Sequence, residues 1–411
     1  MAPERRRRKA GSLFVYALAT ISRMKRPHPP VGIAAIIALR VLSIMSTPTP
    51  LHPLLPGRRV SVVIPTWRRS DLLRNCLESL RQQTRANFEI ILVSNGAGNW
   101  ADRLAEEFGC ALVKFPENRG FAAAVNAGIA RSHAPYVAVL NDDVQLSPQW
   151  LEQTTAFLDS HPEASFCCGK IFQADGILLD NAGDALSLAG SAWRLGFGRK
   201  DSPDYDVPRP IFLVSATASL FRRGVFELVG MLDETFFSYL EDIDFSVRAA
   251  RSGFRGCYLP QAVSRHWGSA TLGGPDSAAV FRWLTQNQLL LLAKHYPWPL
   301  LARCAPRILW AQLLWAAMAL RKRRFRAYGA GILGFLRLLP GTLRRRARWR
   351  RGQWRTFRNM LRESERALYR DVTAPDRACH DTFWRLYFRL FPVRGRPEAA
   401  PQADLKGLAA R

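Results

Sequence analysis

Between Arg59 and Trp150 the chain alternates short, apolar, β-branched runs with segments of helical periodicity. The strand-like runs are VSVVIPTW, FEIILVSN, ALVKF and YVAVLNDD. The segments between them predict helices over 70–84, 99–108 and 118–132. Strands and helices that alternate over short linkers predict a parallel α/β sheet with right-handed crossovers. Ligands of such a sheet bind beyond the carboxyl ends of its strands.

Two adjacent carboxylates, Asp142 and Asp143, end the fourth of these runs. Like charges repel and burial removes their solvation, so two adjacent carboxylates at the end of a buried strand are unfavourable unless another group compensates them. An Asx-turn or a helix N-cap is the structural explanation. The functional one is a divalent cation that also grips a diphosphate, because Mg²⁺ is usually held by one or two carboxylates and substrate phosphates. His266, in a later polar loop, would shift the preference toward Mn²⁺.

A second acidic group lies in YLEDIDF, where Glu241 and Asp242 begin a predicted helix. Asp242 is a candidate general base, which must stay ionised and face the acceptor hydroxyl. The alternative is an acidic first helical turn that complements the helix dipole. The spacing alone leaves both explanations open.

Several motifs occur in a fixed order over residues 59–297: VSVVIPTW, FEIILVSN, ENRGFAAAVNAGI, VLNDDV, FFSYLEDIDFSVRAARSGF and PQAVSRH. This set resembles glycosyltransferase family 2, and most closely the bacterial branch that contains rhamnosyltransferases of cell-envelope polysaccharide synthesis. The resemblance implies the GT-A nucleotide-diphospho-sugar transferase fold, an α/β fold with a Rossmann-like mixed sheet and helices on both faces. It also implies an inverting transfer of a sugar without a covalent intermediate.

The resemblance implies a role for each matching position. Asp242 would be the catalytic base and Glu241 would flank the acceptor, while Asp143 and His266 would bind Mn²⁺ or Mg²⁺. The positions implied to bind the nucleotide sugar are Pro65, Thr66, Asn95, Asn118, Gly120, Asn126 and Asp142. Family members usually carry Asp where this chain has Ser94, which affects nucleotide affinity or base preference. The implied donor is dTDP-rhamnose, followed by a UDP-hexose, and the implied acceptor is lipid-linked or a polysaccharide.

The last part of the chain is rich in Arg, Leu and Trp. Its apolar runs ILWAQLLWAAMAL and GAGILGFLRLL are shorter than a membrane span and lead into RKRRFR and LRRRARWRR. Such alternation is typical of helices that lie in the lipid headgroup plane. We therefore expect a peripheral protein on an anionic surface, the cytoplasmic face of the cell membrane. The alternative is a helical subdomain that packs on the catalytic domain and leaves its arginines solvated.

The net charge of +26 also suits a nucleic-acid-binding protein. The chain has no recognition-helix motif, RNP-like strand or zinc module, so we predict no nucleic-acid partner. A processive polysaccharide synthase is a closer alternative, but the Gln-x-x-Arg-Trp motif is absent, since Ala279 stands where Gln would precede Arg282 and Trp283. A sugar-nucleotide nucleotidyltransferase would need a glycine-rich basic loop after the first strand, which VIPTWRRSD does not provide.

These patterns predict three parts: an N-terminal extension over 1–58, a catalytic domain over 59–297 and a C-terminal membrane-associating helical region over 298–411. The extension combines the basic MAPERRRRKA with the apolar VGIAAIIALRVLSIM. It is either a membrane-surface anchor, or a floppy extension, or the result of an upstream start codon that is not used, since Met24 and Met45 both precede the first strand. The seven cysteines form no Cys-x-x-Cys pair, which predicts reduced, buried thiols.

Overall fold

The computed structural model describes residues 57–85, 87–268, 273–274, 276–349, 353–374 and 381–393. Apart from residues 57 and 58, the predicted N-terminal extension lies outside the described residues. All described residues belong to one compact unit. The predicted boundary between residues 297 and 298 stays a prediction.

The strands are β1 (Val60–Thr66), β2 (Phe88–Asn95), β3 (Ala111–Phe115), β4 (Tyr136–Leu140), β5 (Val144–Leu146), β6 (Phe166–Gln173), β7 (Leu179–Asn181), β8 (Asp184–Leu186), β9 (Ala192–Arg194), β10 (Arg209–Ile211), β11 (Ala218–Arg222) and β12 (Gly256–His266). The main sheet has the order β10-β12-β6-β11-β4-β1-β2-β3, with β5 paired to β12 and β7 to β6. Strands β8 and β9 form a separate hairpin.

The half of the sheet formed by β4, β1, β2 and β3 is parallel, as predicted. Every residue of β1 and β4 is buried, which explains their continuous apolar sequences, since helices cover both faces. The other half differs, because β11 lies antiparallel between β4 and β6 while β12 is parallel to β6. The sheet is therefore mixed, and the predicted fold class is confirmed.

The helices of the sheet region are α1 (Ser70–Arg81), α2 (Asn99–Phe108), α3 (Phe121–Arg131), α4 (Trp150–Ser160), α5 (Arg223–Val229) and α6 (Glu241–Arg251). Apolar side chains of α1, α2 and α4 pack on one face of the sheet, and those of α3, α5 and α6 pack on the other. This places one hydrophobic core on each face, in the three-layer arrangement of α/β domains.

The end of β4 differs from the prediction. The strand stops at Leu140, and pairing resumes in β5, which is antiparallel to β12. Asp142 and Asp143 therefore lie in a turn between two strands of one sheet. The predicted helix over 118–132 begins later, at Phe121, because Gly120 has a φ of +90° and cannot continue a helix.

The remaining helices are α7 (Ala278–His295), α8 (Trp298–Arg321), α9 (Phe325–Arg344), α10 (Gln353–Thr373) and α11 (Thr382–Leu390). They pack on the β8–β9 hairpin and on α6 through two further apolar clusters. Backbone groups of the hairpin bond to α10, where Ser364 Oγ accepts from Leu186 N at 2.7 Å. Among the described residues, no helix is both long enough and apolar enough to cross a membrane.

Candidate active site

A cleft of about 570 Å³ opens beyond the carboxyl ends of β1, β2 and β4. Its wall includes Thr66, Asn95, Asp142, Asp143 and Asp242. The loop before α6 and side chains of α7, α8 and α11 complete it. The cleft therefore combines the strand ends, where ligands of α/β sheets bind, with groups from the C-terminal helices.

Asp142 links the ends of two neighbouring strands. Its Oδ2 accepts a hydrogen bond from Thr66 Oγ1 at 2.7 Å, which joins β4 to the end of β1. Burial, with a further contribution from the charge of Asp143, raises the pKa of Asp142 to about 7, although the Thr66 hydroxyl opposes the shift. A carboxylate in this position gains from any nearby positive charge.

Asp143 faces His266, which is the last residue of β12 and does not lie in a loop as predicted. Asp143 Oδ1 lies 3.1 Å from His266 Nε2, and His266 Nδ1 lies 2.9 Å from Asp180 Oδ2. Arg194 in turn pairs with Asp180, with its Nη1 2.6 Å from Oδ1. Burial alone would lower the pKa of His266, but the two carboxylates outweigh burial and raise it to about 10.

Asp143 and His266 could together bind a divalent cation, through a carboxylate oxygen and a ring nitrogen. With a pKa of about 10, His266 carries a proton on both ring nitrogens at neutral pH, and its Nε2–H points to Asp143 Oδ1. A bound cation would replace the Nε2 proton, while Nδ1–H stays on Asp180. A carboxylate behind a ligating histidine fixes ring orientation in many metal sites. Among the described residues, no group of three or more His, Cys, Asp or Glu side chains could hold a metal. The protein thus offers two donors, and phosphate and water would supply the remaining ligands, as is usual for Mg²⁺.

Asn95 orders the loop at the end of β2. Its Nδ2 donates to Asn118 Oδ1 and to the Gly120 carbonyl at 3.1 Å each, and its Oδ1 accepts from Arg119 N at 2.8 Å. Asn95 is buried by these contacts, and it lines the cleft together with Asn118, Gly120 and Pro65. Its predicted role in reading the base stays a prediction.

Asn126 is placed differently from the other predicted nucleotide-binding residues. It is not among the residues that line the cleft. Its Nδ2 donates to the Leu232 carbonyl and its Oδ1 accepts from Leu232 N, both at 2.9 Å. These bonds anchor the segment before α6. A direct contact of Asn126 with the nucleotide stays a prediction.

Asp242 and Glu241 lie at the start of α6. The carboxylate of Asp242 accepts from Ile243 N at 2.8 Å and from Ala216 N at 3.2 Å. Burial raises the pKa of Asp242, although these two N–H groups oppose the shift. Burial and the charge of Asp242 raise the pKa of Glu241 well above its usual range.

The structure adds cleft residues that the sequence motifs did not indicate. Asp184, at the start of β8, lines the cleft, and burial followed by the charge of Asp242 raises its pKa to about 7. Its Oδ2 has no hydrogen-bond partner among the described residues. Trp193 of β9 and Trp384 of α11 also line the cleft. Asp180 and these residues come from segments without a recognisable motif, so only their three-dimensional position identifies them.

Residues 61–230 match the family model described as glycosyl transferase family 2. They contain the strands β2–β4, all of β1 except its first residue, and the Asp142–Asp143 turn. These residues form a family 2 glycosyltransferase domain. The match ends at residue 230, before Asp242 and His266. The fold nevertheless brings both side chains to the cleft that Asp142 and Asp143 line.

Curated relatives share this region. The chain is 30% identical over 237 residues to the uncharacterized protein y4gI of Sinorhizobium fredii, covering 53% of this chain and 25% of the relative. It is 26% identical over 277 residues to the O-antigen biosynthesis protein RfbC of Myxococcus xanthus, covering 62% of this chain and 21% of the relative. It thus spans about a quarter of the length of these two proteins.

A shorter relative is covered almost completely. The N-acetylglucosaminyl-diphospho-decaprenol L-rhamnosyltransferase of Mycobacterium tuberculosis is 24% identical over 263 residues, covering 58% of this chain and 85% of the relative. Among solved structures, the mannosyltransferase PcManGT of Pyrobaculum calidifontis in complex with GDP-Man and Mn²⁺ has a TM-score of 0.42 at 16% identity, covering 84% of this chain and 96% of that chain. TarS of S. aureus has a TM-score of 0.40 at 18% identity, covering 56% of this chain and 65% of the TarS chain.

Proposed function

We propose that the protein is an inverting, metal-dependent glycosyltransferase that moves a sugar from a nucleoside diphosphate to a hydroxyl acceptor. One observation carries the proposal. The Asp142–Asp143 turn of the family 2 domain and Asp242 of α6 line the same cleft. A carboxylate pair for a diphosphate-bound cation and a separate base for the acceptor are the groups this reaction needs.

Asp143 and His266 would hold Mn²⁺ or Mg²⁺. When bound, such a cation neutralises the charge that develops on the leaving diphosphate. Asp180 orients the His266 ring through the 2.9 Å contact to Nδ1, and Thr66 orients Asp142. These contacts place the acidic turn before substrate binds.

Asp242 would accept the proton of the acceptor hydroxyl as its oxygen attacks the anomeric carbon from the side opposite to the diphosphate. The new glycosidic bond forms while the bond to the diphosphate breaks, so the anomeric configuration inverts. The backbone N–H groups of Ala216 and Ile243 hold the carboxylate in place. Its raised pKa brings the base closer to neutral pH, where a general base is most effective.

The proposed donor is dTDP-rhamnose, followed by a UDP-hexose, and the proposed acceptor is lipid-linked or a cell-envelope polysaccharide. The names of two relatives support this choice. One is a rhamnosyltransferase acting on a diphospho-decaprenol, and the other is a protein of O-antigen biosynthesis. Ser94 before Asn95 is the position where base preference would differ from that of other family members.

The test is a calorimetric panel of nucleotide sugars with Mn²⁺, followed by turnover measured as release of nucleoside diphosphate. We expect one donor class to bind, EDTA to abolish turnover, and Mn²⁺ or Mg²⁺ to restore it. Asp143→Asn should weaken binding of the metal–nucleotide complex, whereas Glu106→Gln, an exposed change on α2, should not. Absence of binding for every nucleotide sugar would overturn the proposal. Full turnover in the presence of EDTA would show that the reaction does not need a metal.

A further inference from the structure

Helix α9 has two different faces. Its inner face packs closely on α7, because a Cβ at Gly331 would lie 2.6 Å from the Arg282 carbonyl oxygen. Gly334 of α9 faces the side chain of Gln286, which also lies on α7. Two glycines at this spacing let the helix backbones approach, which fixes α9 on the body of the protein. The outer face of α9 therefore has a defined orientation.

The outer face of α9 is apolar and exposed. Phe325, Leu333, Leu336 and Leu343 lie on one side of the helix, opposite to Gly331, and each is between 42% and 55% exposed. Single exposed leucines are normal on protein surfaces. Four large apolar side chains along one helix face, on a helix whose opposite face is already packed, indicate a second contact surface.

Helix α8, which packs against α9, carries a similar stripe. Leu309, Leu313 and Leu320 are 63–65% exposed and lie on one side of α8. The opposite side of α8 is buried through Ala311 and Ala319. Two adjoining helices therefore each bury one face and expose apolar side chains on the other.

Cationic side chains border the α9 stripe. Arg326, Arg337 and Arg344 are exposed, and each directly follows an apolar residue of the stripe, so the three lie along one edge of it. The sequence from Trp298 to Trp349 contains twelve Arg or Lys residues and no Asp or Glu. A solvated helix face usually mixes charges of both signs, whereas this one carries a single sign beside an apolar stripe.

We propose that the outer face of α9, with the exposed stripe of α8, docks on the surface of an anionic lipid bilayer. We place it at the cytoplasmic face of the cell membrane, as a peripheral contact. An apolar face with a cationic border lies in the headgroup region, with its apolar side chains at the acyl boundary. Lys and Arg near an anionic leaflet add electrostatic attraction. Docking at this surface does not depend on the proposed catalytic chemistry, and only its consequence for a lipid-linked acceptor rests on the proposed function.

The same helix α8 also contributes to the cleft, through Trp315 and Met318. Docking of α8 and α9 would bring the cleft to the bilayer surface. A lipid-linked acceptor has its reactive group in the headgroup region, so this position would present the acceptor to Asp242. A duplex nucleic acid fits the surface less well, because it would leave the leucine stripe exposed to water.

The test is flotation of the full-length protein with vesicles of phosphatidylcholine, with or without phosphatidylglycerol. We expect binding to the anionic vesicles at low salt, weaker binding at high salt, and little binding to neutral ones. Arg326→Gln/Arg337→Gln/Arg344→Gln should weaken binding about a hundredfold. Leu333→Ser/Leu336→Ser should weaken it as well. Arg103→Gln/Lys114→Gln/Lys200→Gln removes the same charge from the catalytic part and should change binding by less than about threefold.

Thermal unfolding by circular dichroism checks that each variant is folded. Three results would overturn the proposal. The first is full-length protein that stays at the bottom of the gradient with anionic vesicles. The second is binding that depends on Arg5–Arg8, tested by their substitution with Gln, and not on the α9 arginines. The third is salt-sensitive duplex DNA binding that needs the α9 arginines in a protein that does not float. None of these results bears on nucleotide-sugar turnover in solution.

Discussion

The side-chain nitrogen of Asn287 lies 2.7 Å from the carbonyl oxygen of Tyr239. The same Nδ2 lies 2.8 Å from the carbonyl oxygens of Phe236 and Ser238. Asn287 is fully buried in the middle of α7, and the loop that it contacts leads directly into Asp242 at the start of α6. One amide group therefore holds the segment that positions the proposed base.

This loop needs such support because its backbone is strained. Phe237, Tyr239 and Leu240 have φ values of 61°, 71° and 67°, in the left-handed region that L side chains rarely adopt. Each such residue costs on the order of 1–3 kcal/mol and persists only when its surroundings hold it. Phe237 is held further by stacking on Trp283 of α7, with ring centroids 4.6 Å apart.

Asn287→Ala should therefore reduce both stability and turnover. We expect the free energy of unfolding in urea to fall by about 1–3 kcal/mol, since buried carbonyl groups lose a donor. Turnover should fall further than stability explains, because the loop before Asp242 relaxes. Asn287→Asp should be worse, since it places a carboxylate against three carbonyl oxygens. Asn359→Ala, an exposed change on α10, is the control. Unchanged turnover in Asn287→Ala would show that the loop is positioned by other contacts.

Asp242→Asn tests the base directly. The amide cannot take a proton, so we expect transfer to fall by roughly 10²–10⁴-fold. Calorimetry should show that the variant binds the nucleotide sugar as the parent does, because Asp142, Asp143 and His266 are unchanged. Asp204→Asn, an exposed substitution, should leave both measurements as in the parent. Near-normal turnover would exclude Asp242 as the base.

Acid sensitivity should depend on Asp244. Its carboxylate lies 2.6 Å from Lys294 Nζ, 2.7 Å from His295 Nε2 and 2.9 Å from Arg248 Nε. Burial would raise the pKa of Asp244, but these hydrogen bonds and charges outweigh burial and hold it well below its usual range. A carboxyl whose folded-state pKa is depressed stabilises the protein above its unfolded pKa of about 4. That contribution is lost as the pH falls below this value.

Asp244→Asn should accordingly lower the free energy of unfolding by about 3–5 kcal/mol at neutral pH, because buried positive charge loses its partner. Urea unfolding of parent and variant from pH 7 to pH 3 measures the effect. The difference between them should shrink as the pH falls below about 4. A difference that is constant over this range would mean that the ionised form of Asp244 does not stabilise the fold.

Glu365 tests whether the C-terminal helices and the β8–β9 hairpin unfold together. Its Oε1, buried in α10, accepts from Leu188 N at 3.0 Å and from Tyr387 OH at 2.7 Å. Glu365→Ala should lower the free energy of unfolding by about 1–3 kcal/mol for each of the two donors that lose their acceptor. Unfolding should still occur in a single transition. The control is Glu363→Ala, an exposed change two residues away on the same helix. A separate early transition in Glu365→Ala would instead support an independent region after residue 297.

The sequence alone determined the parallel half of the sheet and the location of the cleft at its strand ends. Strands β1–β4 are local, since each is a short apolar run flanked by turn residues, and burial on both faces leaves a continuous hydrophobic signal. Asp142 and Asp143 could be placed at the cleft because parallel strands end on the same edge. The helix that carries Asp242 was also predicted locally.

Only the tertiary structure decided which other side chains reach the cleft. The direction of β11 depends on hydrogen bonds to β4 and β6, which are distant in sequence, so its own residues do not indicate that it is antiparallel. Asn287 lies in an apolar helix, and its importance arises from three carbonyl groups about fifty residues earlier. Asp180 similarly contacts His266, which is 86 residues later in the chain. Non-local contacts of this kind leave no periodicity in the sequence, because a single polar residue carries each one.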